Sequence, residues 1–258
     1  MIDNRLTRFF KQTPHPALTV YCTAGFPTLH DTVPILESLQ TAGADIVEIG
    51  MPFSDPIADG EVIQQSNQVA LQNGMTIKTL FEQLQGFRQK VHLPVLLMGY
   101  INPVLQYGIE RFFEHAAEVE VDGVILPDLP LAEYEREYLP LCRKYNLSAV
   151  FLVSPQTDET RIRKIDDLTE GFIYLVSSSS TTGKTQGIQA EQINYFERIR
   201  QMQLKNPKQI GFGIADKASF QTACQYAEGA IIGSAFIKAI AQSADLPASI
   251  RQFVQGLR

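Results

Sequence analysis

Residues 18–50 read LTVYCTAGFPTLHDTVPILESLQTAGADIVEIG. Two short apolar segments rich in β-branched residues, 18–23 and 45–50, flank a longer segment, 31–42, whose apolar residues recur at intervals of three and four. The short pattern is typical of a buried strand and the longer one of an amphipathic helix. A helix that connects two consecutive strands predicts that the strands are parallel.

The same alternation continues along the whole chain. Six further short apolar segments lie at residues 95–99, 123–126, 149–153, 172–177, 209–213 and 229–233. Segments with helical periodicity lie at residues 76–91, 109–119, 131–145, 158–168, 190–202 and 216–226. Eight such units predict an α/β fold, a (β/α)8 TIM barrel, with residues 2–11 as an extra N-terminal helix that covers its bottom. No linker or change in composition divides the chain, so we expect a single domain over residues 1–258.

The composition excludes several classes of function. The chain has 258 residues, a formal net charge of -6 and no cluster of basic residues, which argues against a nucleic-acid partner. Its three cysteines are far apart in sequence, as in proteins of a reducing compartment. Charged residues near the N-terminus predict no signal peptide, and no long uncharged apolar run predicts a membrane span. We therefore expect a cytoplasmic protein.

A carboxylate lies near the end of the second predicted strand. Because side chains alternate along a strand, Ile46 and Glu48 share a face, and Glu48 would point into the barrel near its C-terminal mouth, where barrel active sites lie. Asp59 follows in the next loop, so the two acids could serve separate acid and base roles. Two alternatives remain open: a lysine or backbone N–H could satisfy Glu48, and Asp55 or Asp59 could form a turn or cap a helix.

The last two predicted strands end in glycine-containing segments, GFGI at 211–214 and GSAF at 233–236. Barrels commonly bind phosphate there, because glycine allows a close approach and a helix N-terminus offers free N–H groups. Tight turns without a ligand are the alternative. Residues 177–187, SSSSTTGKTQG, form a polar segment long enough to close over a site as a lid.

Residue types at the predicted strand ends restrict the chemistry. The four histidines lack the spacing of metal ligands, and no lysine ends a strand, so neither metal nor Schiff-base catalysis is predicted. The sequence therefore predicts acid–base chemistry by carboxylates on a phosphorylated substrate.

Several motifs closely resemble those of one enzyme family. The most specific is EIGMPFSDPIADG at residues 48–60. Further motifs follow in the family order: LMGYINP at 97–103, PDLP at 127–130, YLVS at 174–177, TG at 182–183, GFGI at 211–214 and GSA at 233–235. Over essentially its whole length, the chain resembles the tryptophan synthase alpha chain.

The resemblance implies retro-aldol cleavage of indole-3-glycerol phosphate to indole and glyceraldehyde 3-phosphate, with no cofactor in this chain. It implies that Glu48 transfers protons, including at indole C3, that Asp59 hydrogen-bonds the indole N–H, and that Tyr174 lies beside Glu48. The residues implied to hold the phosphate are Gly183, Gly213, Gly233 and Ser234. Those implied to contact the indole are Tyr21, Met98, Tyr100, Asp128, Thr182 and Phe212.

The resemblance also implies a heterotetramer with a beta chain that carries pyridoxal phosphate and receives the indole. Residues 52–56 and 102–107 are the expected contact surfaces. The sequence departs from the family pattern in two places, one in the expected lid and one in the first predicted strand. Ser180 and Thr181 stand where members usually carry Gly-Val, which predicts altered lid closure, and Tyr21 stands where some members have Phe.

Three other functions remain open at this stage. A stand-alone indole-3-glycerol phosphate lyase would release free indole without a partner. A catalytically silent subunit would only activate a beta chain, although the presence of Glu48 and Asp59 argues against it. An isomerase or epimerase of sugar phosphates would share the phosphate site, but residues 48–59 are foreign to those enzymes.

Overall fold

Eight parallel strands close into a barrel in the computed structural model, which describes residues 2–13, 15–56, 59–176, 190–211 and 213–258. Each strand pairs with the next along the chain, and the eighth pairs with the first. The strands are β1 Ala17–Thr23, β2 Ile46–Gly50, β3 Val95–Met98, β4 Gly123–Ile125, β5 Ser148–Val153, β6 Ile173–Val176, β7 Lys208–Gly211 and β8 Gly229–Ile232. The predicted (β/α)8 barrel is confirmed.

Helices occupy the connections between the strands. The described helices are α1 Arg5–Gln12, α2 Thr32–Ala42, α3 Glu61–Gln72, α4 Ile77–Gln83, α5 Ile101–Tyr107, α6 Ile109–Glu118, α7 Leu131–Glu133, α8 Leu139–Lys144, α9 Glu159–Leu168, α10 Ala190–Gln201, α11 Lys217–Ala223, α12 Ser234–Ile240 and α13 Leu246–Gln255. None of the helices in these ranges is both long and apolar enough to span a bilayer.

Two of the predicted helices are interrupted. The segment 76–91 is not one helix, because Gly86 adopts a left-handed backbone conformation (φ 72°) between α4 and a short 3-10 turn, Phe87–Gln89. The segment 131–145 is divided by a π-helical stretch, Tyr134–Tyr138. Periodicity finds the apolar face in both cases but does not locate the local break in the helix.

The N-terminal helix closes the bottom of the barrel, as predicted. Leu6 of α1 is fully buried, and Phe9 and Phe10 pack beside it. Asn4 caps the helix by accepting from the backbone N–H of Thr7. The inward-facing residues that Leu6 joins in this lower core are Ala17, Ile46, Leu96, Ile125, Val150, Phe172, Tyr174 and Ile231.

A buried ion pair holds the same end of the barrel together. The guanidinium group of Arg88 lies 2.6 Å from the carboxylate of Asp122, and their side chains are 7% and 1% exposed. Asp122 immediately precedes β4 and also accepts from the backbone N–H groups of Arg5 and Val95. One carboxylate therefore links α1, β3 and β4 at the face opposite the barrel mouth.

Candidate active site

Glu48 points into the barrel above this lower core. Ile46, on the same face of β2, belongs to the lower core, so the predicted sharing of a face is confirmed. Glu48 is fully buried, and neither of its carboxylate oxygens has a hydrogen-bond partner among the described residues. Among the residues that the structure describes, no lysine and no backbone N–H group satisfies this carboxylate. Burial raises the pKa of Glu48 to about 8.

Asp59 lies in the loop after β2, and its carboxyl group is partly buried. Burial raises the pKa of Asp59 to about 6, against the opposing effect of a hydrogen bond from Tyr100. Gly60, not Asp59, is the N-cap residue of α3, so the helix-capping alternative is wrong. Tyr100 directly precedes α5, and its ring lies 5.3 Å from that of Phe53. The side chain of Asp59 is thus held toward the end of β3.

Two tyrosines accompany the carboxyl groups. Tyr174 of β6 is buried, and burial together with the charges of Glu48 and Asp59 raises its pKa well above the usual range. Its ring occupies space beside Gly211, where a Cβ atom would overlap it. Tyr21 of β1 is the register partner of Glu48. Burial and the charges of both acids likewise raise the pKa of Tyr21.

Met98 and Asp128 lie at neighbouring strand ends. Met98 is the last residue of β3, is partly buried and is the register partner of Gly50. Asp128 follows β4, is exposed, and accepts with both carboxylate oxygens from the backbone N–H of Ile101, at 2.9 and 3.1 Å. Asp128 thus anchors the first residue of α5, and its role as an indole contact stays a prediction.

The expected phosphate site falls only partly within the described residues. Gly213, after β7, is exposed and has a positive φ of 79°, a conformation that favours glycine. Gly233 directly precedes α12, which begins at Ser234, and the N–H groups of a first helical turn have no partner within the helix. These residues lie at the mouth, at the ends of β7 and β8. The positions outside the described residues are Thr182, Gly183, Phe212 and the expected lid 177–187, including Ser180 and Thr181.

Comparisons with known proteins agree on one family. The family model of the tryptophan synthase alpha chain matches residues 9–256. This chain belongs to the tryptophan synthase alpha chain family. The tryptophan synthase alpha chain of Flavobacterium johnsoniae is 50% identical over 255 residues, which are 99% of this chain and 100% of that relative. The alpha chain of Bacteroides thetaiotaomicron is 44% identical over 255 residues, 99% of this chain and all of that relative.

Solved structures place the fold in the same family. The tryptophan synthase alpha subunit of Legionella pneumophila superposes with a TM-score of 0.88 at 31% identity, covering 99% of this chain and 97% of that one. A chain of the tryptophan synthase complex from Pyrococcus furiosus gives a TM-score of 0.85 at 32% identity, with 93% and 97% covered. The barrel with an N-terminal helix is therefore the alpha-chain fold.

The sequence patterns missed the polar contacts that hold the site residues. The hydrogen bond between Tyr100 and Asp59 joins two residues that are 41 positions apart in the sequence. Thr23 and Ser66, whose hydroxyl groups lie 2.7 Å apart between β1 and α3, carried no motif. Among the described residues, no group of three or more His, Cys, Asp or Glu side chains is arranged to hold a metal ion.

Proposed function

We propose that this chain cleaves indole-3-glycerol phosphate to indole and glyceraldehyde 3-phosphate by carboxylate acid–base catalysis, in one catalytic domain over residues 1–258. The observation that carries the proposal is the buried Glu48 at the barrel mouth, whose carboxylate has no hydrogen-bond partner in the part of the chain that the structure describes. It lies close enough to Asp59 that the same two tyrosines interact with both acids. Membership of the alpha chain family supports the substrate.

The two acids differ in the way that this reaction requires. A carboxyl group with a pKa of about 8 is mostly protonated at neutral pH, so Glu48 is the acid. A carboxyl group with a pKa of about 6 is mostly ionised there, so Asp59 is the hydrogen-bond acceptor. Burial thus prepares one proton donor and one anion within the same barrel mouth.

Each chemical step follows from these states. Glu48 donates its proton to indole C3, and the ring nitrogen lone pair forms a carbon–nitrogen double bond. Asp59 accepts a hydrogen bond from the ring N–H and stabilises the positive charge on it. The ionised Glu48 then removes the proton from the substrate hydroxyl group next to C3. The bond between C3 and the hydroxyl-bearing carbon breaks, its electrons return to the ring, and indole and an aldehyde result.

The remaining residues at the mouth would bind the two ends of the substrate. We assign Tyr21, Met98 and Tyr100 to the indole ring, as apolar surfaces at the ends of β1 and β3. Gly213, Gly233 and Ser234 are assigned to the phosphate through backbone N–H groups. The family resemblance adds Thr182 and Phe212 to the indole contacts and Gly183 to the phosphate contacts.

A beta chain is the proposed partner, in an alpha2beta2 complex. Solved structures similar to this chain include tryptophan synthase complexes, which supports the assignment. The expected contact surfaces carry exposed side chains: Ser54 and Asp55 in one, and Leu105, which is 48% exposed, in the other. Pyridoxal phosphate would belong to the beta chain, which consumes the indole.

Indole release tests the proposal and separates it from its alternatives. The purified chain is assayed with indole-3-glycerol phosphate, alone and with a beta chain. Weak activity that rises with the beta chain supports the proposed subunit. Full activity without a partner would identify a stand-alone lyase. Absence of cleavage in both assays, with normal activation of the beta chain, would identify a silent subunit and refute the proposal.

A further inference from the structure

A carboxylate from a neighbouring loop holds the first residue of helix α5. Asp128 follows β4 and accepts from the backbone N–H of Ile101 with both of its oxygens, at 2.9 and 3.1 Å. That N–H group belongs to the first turn of α5, where a helix provides no acceptor of its own. Because α5 has only seven residues, its internal hydrogen bonds stabilise it little, and its orientation depends on contacts from outside.

Two further contacts attach the ends of α5. Tyr100, directly before the helix, is buried, and its ring lies 5.3 Å from that of Phe53. At the other end, the hydroxyl group of Tyr107 lies 2.6 Å from Nδ1 of His115 on α6. A bond from a backbone N–H to a carboxylate is stronger than a bond between neutral groups. Loss of the Asp128 carboxylate should therefore loosen the start of α5 more than its end.

The outer face of α5 carries an exposed apolar side chain. Leu105 is 48% exposed, and it is one of two large apolar residues that are exposed in the part of the chain that the structure describes. Its neighbour Val104 is fully buried, so the helix has a distinct inner and outer face. The ring contact between Phe53 and Tyr100 joins α5 to residues 52–56, the other expected contact surface. The orientation of α5 therefore determines where Leu105 lies relative to that segment.

We propose that Asp128 is a positioning residue that holds α5, through the N–H of Ile101, so that Leu105 and residues 52–56 form one surface for the beta chain. The inference rests on the proposed partner. It gives a role in association to a residue for which the family resemblance implied a contact with the indole. Both oxygens of Asp128 are directed at one amide of α5, and the hydrogen bond from the indole N–H is assigned to Asp59.

The anchoring is tested first in the chain without a partner. Amide hydrogen exchange over residues 104–108 reports how often α5 opens. In Asp128→Ala these amides should exchange roughly two- to thirtyfold faster, which is the range that the loss of a helix cap produces. Asp128→Asn keeps an oxygen that can accept from the same N–H, so its exchange should match the wild type. Unchanged exchange in the strands shows that both variants keep the barrel fold.

Calorimetric titration with a beta chain then measures the consequence for association. The apparent Kd rises by the inverse of the fraction of molecules in which α5 is correctly oriented. For Asp128→Ala we expect a rise of at least about twofold, and of no more than the factor found in the exchange experiment. Asp128→Asn should bind as the wild type does, which is the rescue expected of a hydrogen-bond acceptor.

Asp158→Ala is the matched control for the titration. Asp158 is also exposed, and it caps α9 by accepting from the backbone N–H of Arg161 at 2.9 Å. Because α9 lies outside the expected contact surfaces, this variant should bind the beta chain with unchanged affinity. Leu105→Ala tests the surface itself: the affinity should fall, while exchange over residues 104–108 stays as in the wild type.

Kinetics separate positioning from a direct contact with the substrate. If Asp128 positions α5, then Asp128→Ala raises the concentration of beta chain needed for half-maximal cleavage. At saturating beta chain the complex selects the oriented helix, so KM for indole-3-glycerol phosphate stays within about twofold of the wild type. A contact with the indole would instead raise KM at saturation and leave the affinity for the beta chain unchanged.

Three results would overturn the inference: unchanged exchange in Asp128→Ala, unchanged affinity in Asp128→Ala or Leu105→Ala, or a raised KM for Asp128→Ala at saturating beta chain. Failure of the proposed reaction is distinguishable from these. A wild-type complex that forms but releases no indole would refute the reaction, while the affinities would still decide the role of Asp128. A wild-type chain that binds no beta chain would refute both the partner and the inference.

Discussion

Replacing Glu48 by glutamine should abolish cleavage and at the same time make the protein more stable. Glutamine keeps the shape of the neutral carboxylic acid but cannot transfer a proton. Loss of a general acid–base group typically costs about 100- to 10,000-fold in rate. The gain in stability arises because wild-type Glu48 is fully buried and has no partner among the described residues.

The size of that gain follows from the pKa of Glu48, which is 4.5 in its ordinary state and about 8 in the fold. Because the folded state binds this proton more tightly, the wild type loses stability as the pH rises from 4.5 through about 8. Glutamine removes that dependence. The variant should gain about 1 kcal/mol at pH 5, about 3 kcal/mol at pH 7 and about 5 kcal/mol well above pH 8.

Urea unfolding, followed by circular dichroism at several pH values, measures this difference. The chain contains no tryptophan, so circular dichroism is a better probe than intrinsic fluorescence. Glu114→Gln is the matched control, because it makes the same chemical change at an exposed carboxylate on α6. Association with a beta chain, measured by calorimetry, should be the same for Glu48→Gln and the wild type.

Two results would refute this reasoning. A stability difference that does not change between about pH 5 and pH 8 would mean that Glu48 is not held protonated by the fold. Retained cleavage in Glu48→Gln would mean that another group transfers the proton.

Three further changes have defined consequences. Tyr100→Phe removes the hydrogen bond to Asp59, so the pKa of Asp59 should rise. The acid limb of the kcat/KM profile should then move to higher pH by roughly half to one pH unit. An acid limb at the same pH as in the wild type would contradict this contact. Gly211→Ala places a Cβ atom against the Tyr174 ring, so it should lower the free energy of unfolding by about 1–3 kcal/mol and reduce kcat. Unchanged unfolding and kinetics would show that the ring can accommodate the added methyl group. Asp122→Asn leaves the buried Arg88 without its carboxylate partner, which should lower the free energy of unfolding in urea by about 3–5 kcal/mol. Because the pair lies opposite the barrel mouth, kcat should stay unchanged. A large loss of kcat in the folded variant would contradict this prediction.

The pattern of apolar residues along the sequence was sufficient to predict the architecture of this protein. Alternating short apolar runs and helical periodicity located all eight strands to within two residues, because burial on both faces leaves a continuous apolar signal in each parallel strand. Alternation of side chains along β2 also placed Glu48 on the inner face with Ile46. Periodicity in the sequence did not predict helices α3, α5 and α13, and α5 is only seven residues long.

Only the tertiary structure decided the state of the site. Whether Glu48 had a partner depended on which side chains of β1 and β6 surround it, and these come from positions far apart in the chain. The contacts of Asp59 with Tyr100 and of Thr23 with Ser66 likewise join separate strands, loops and helices. The sequence identifies Glu48 and Asp59 as acids, but their pKa values depend on burial and on neighbouring groups. Both exist only once the barrel has closed.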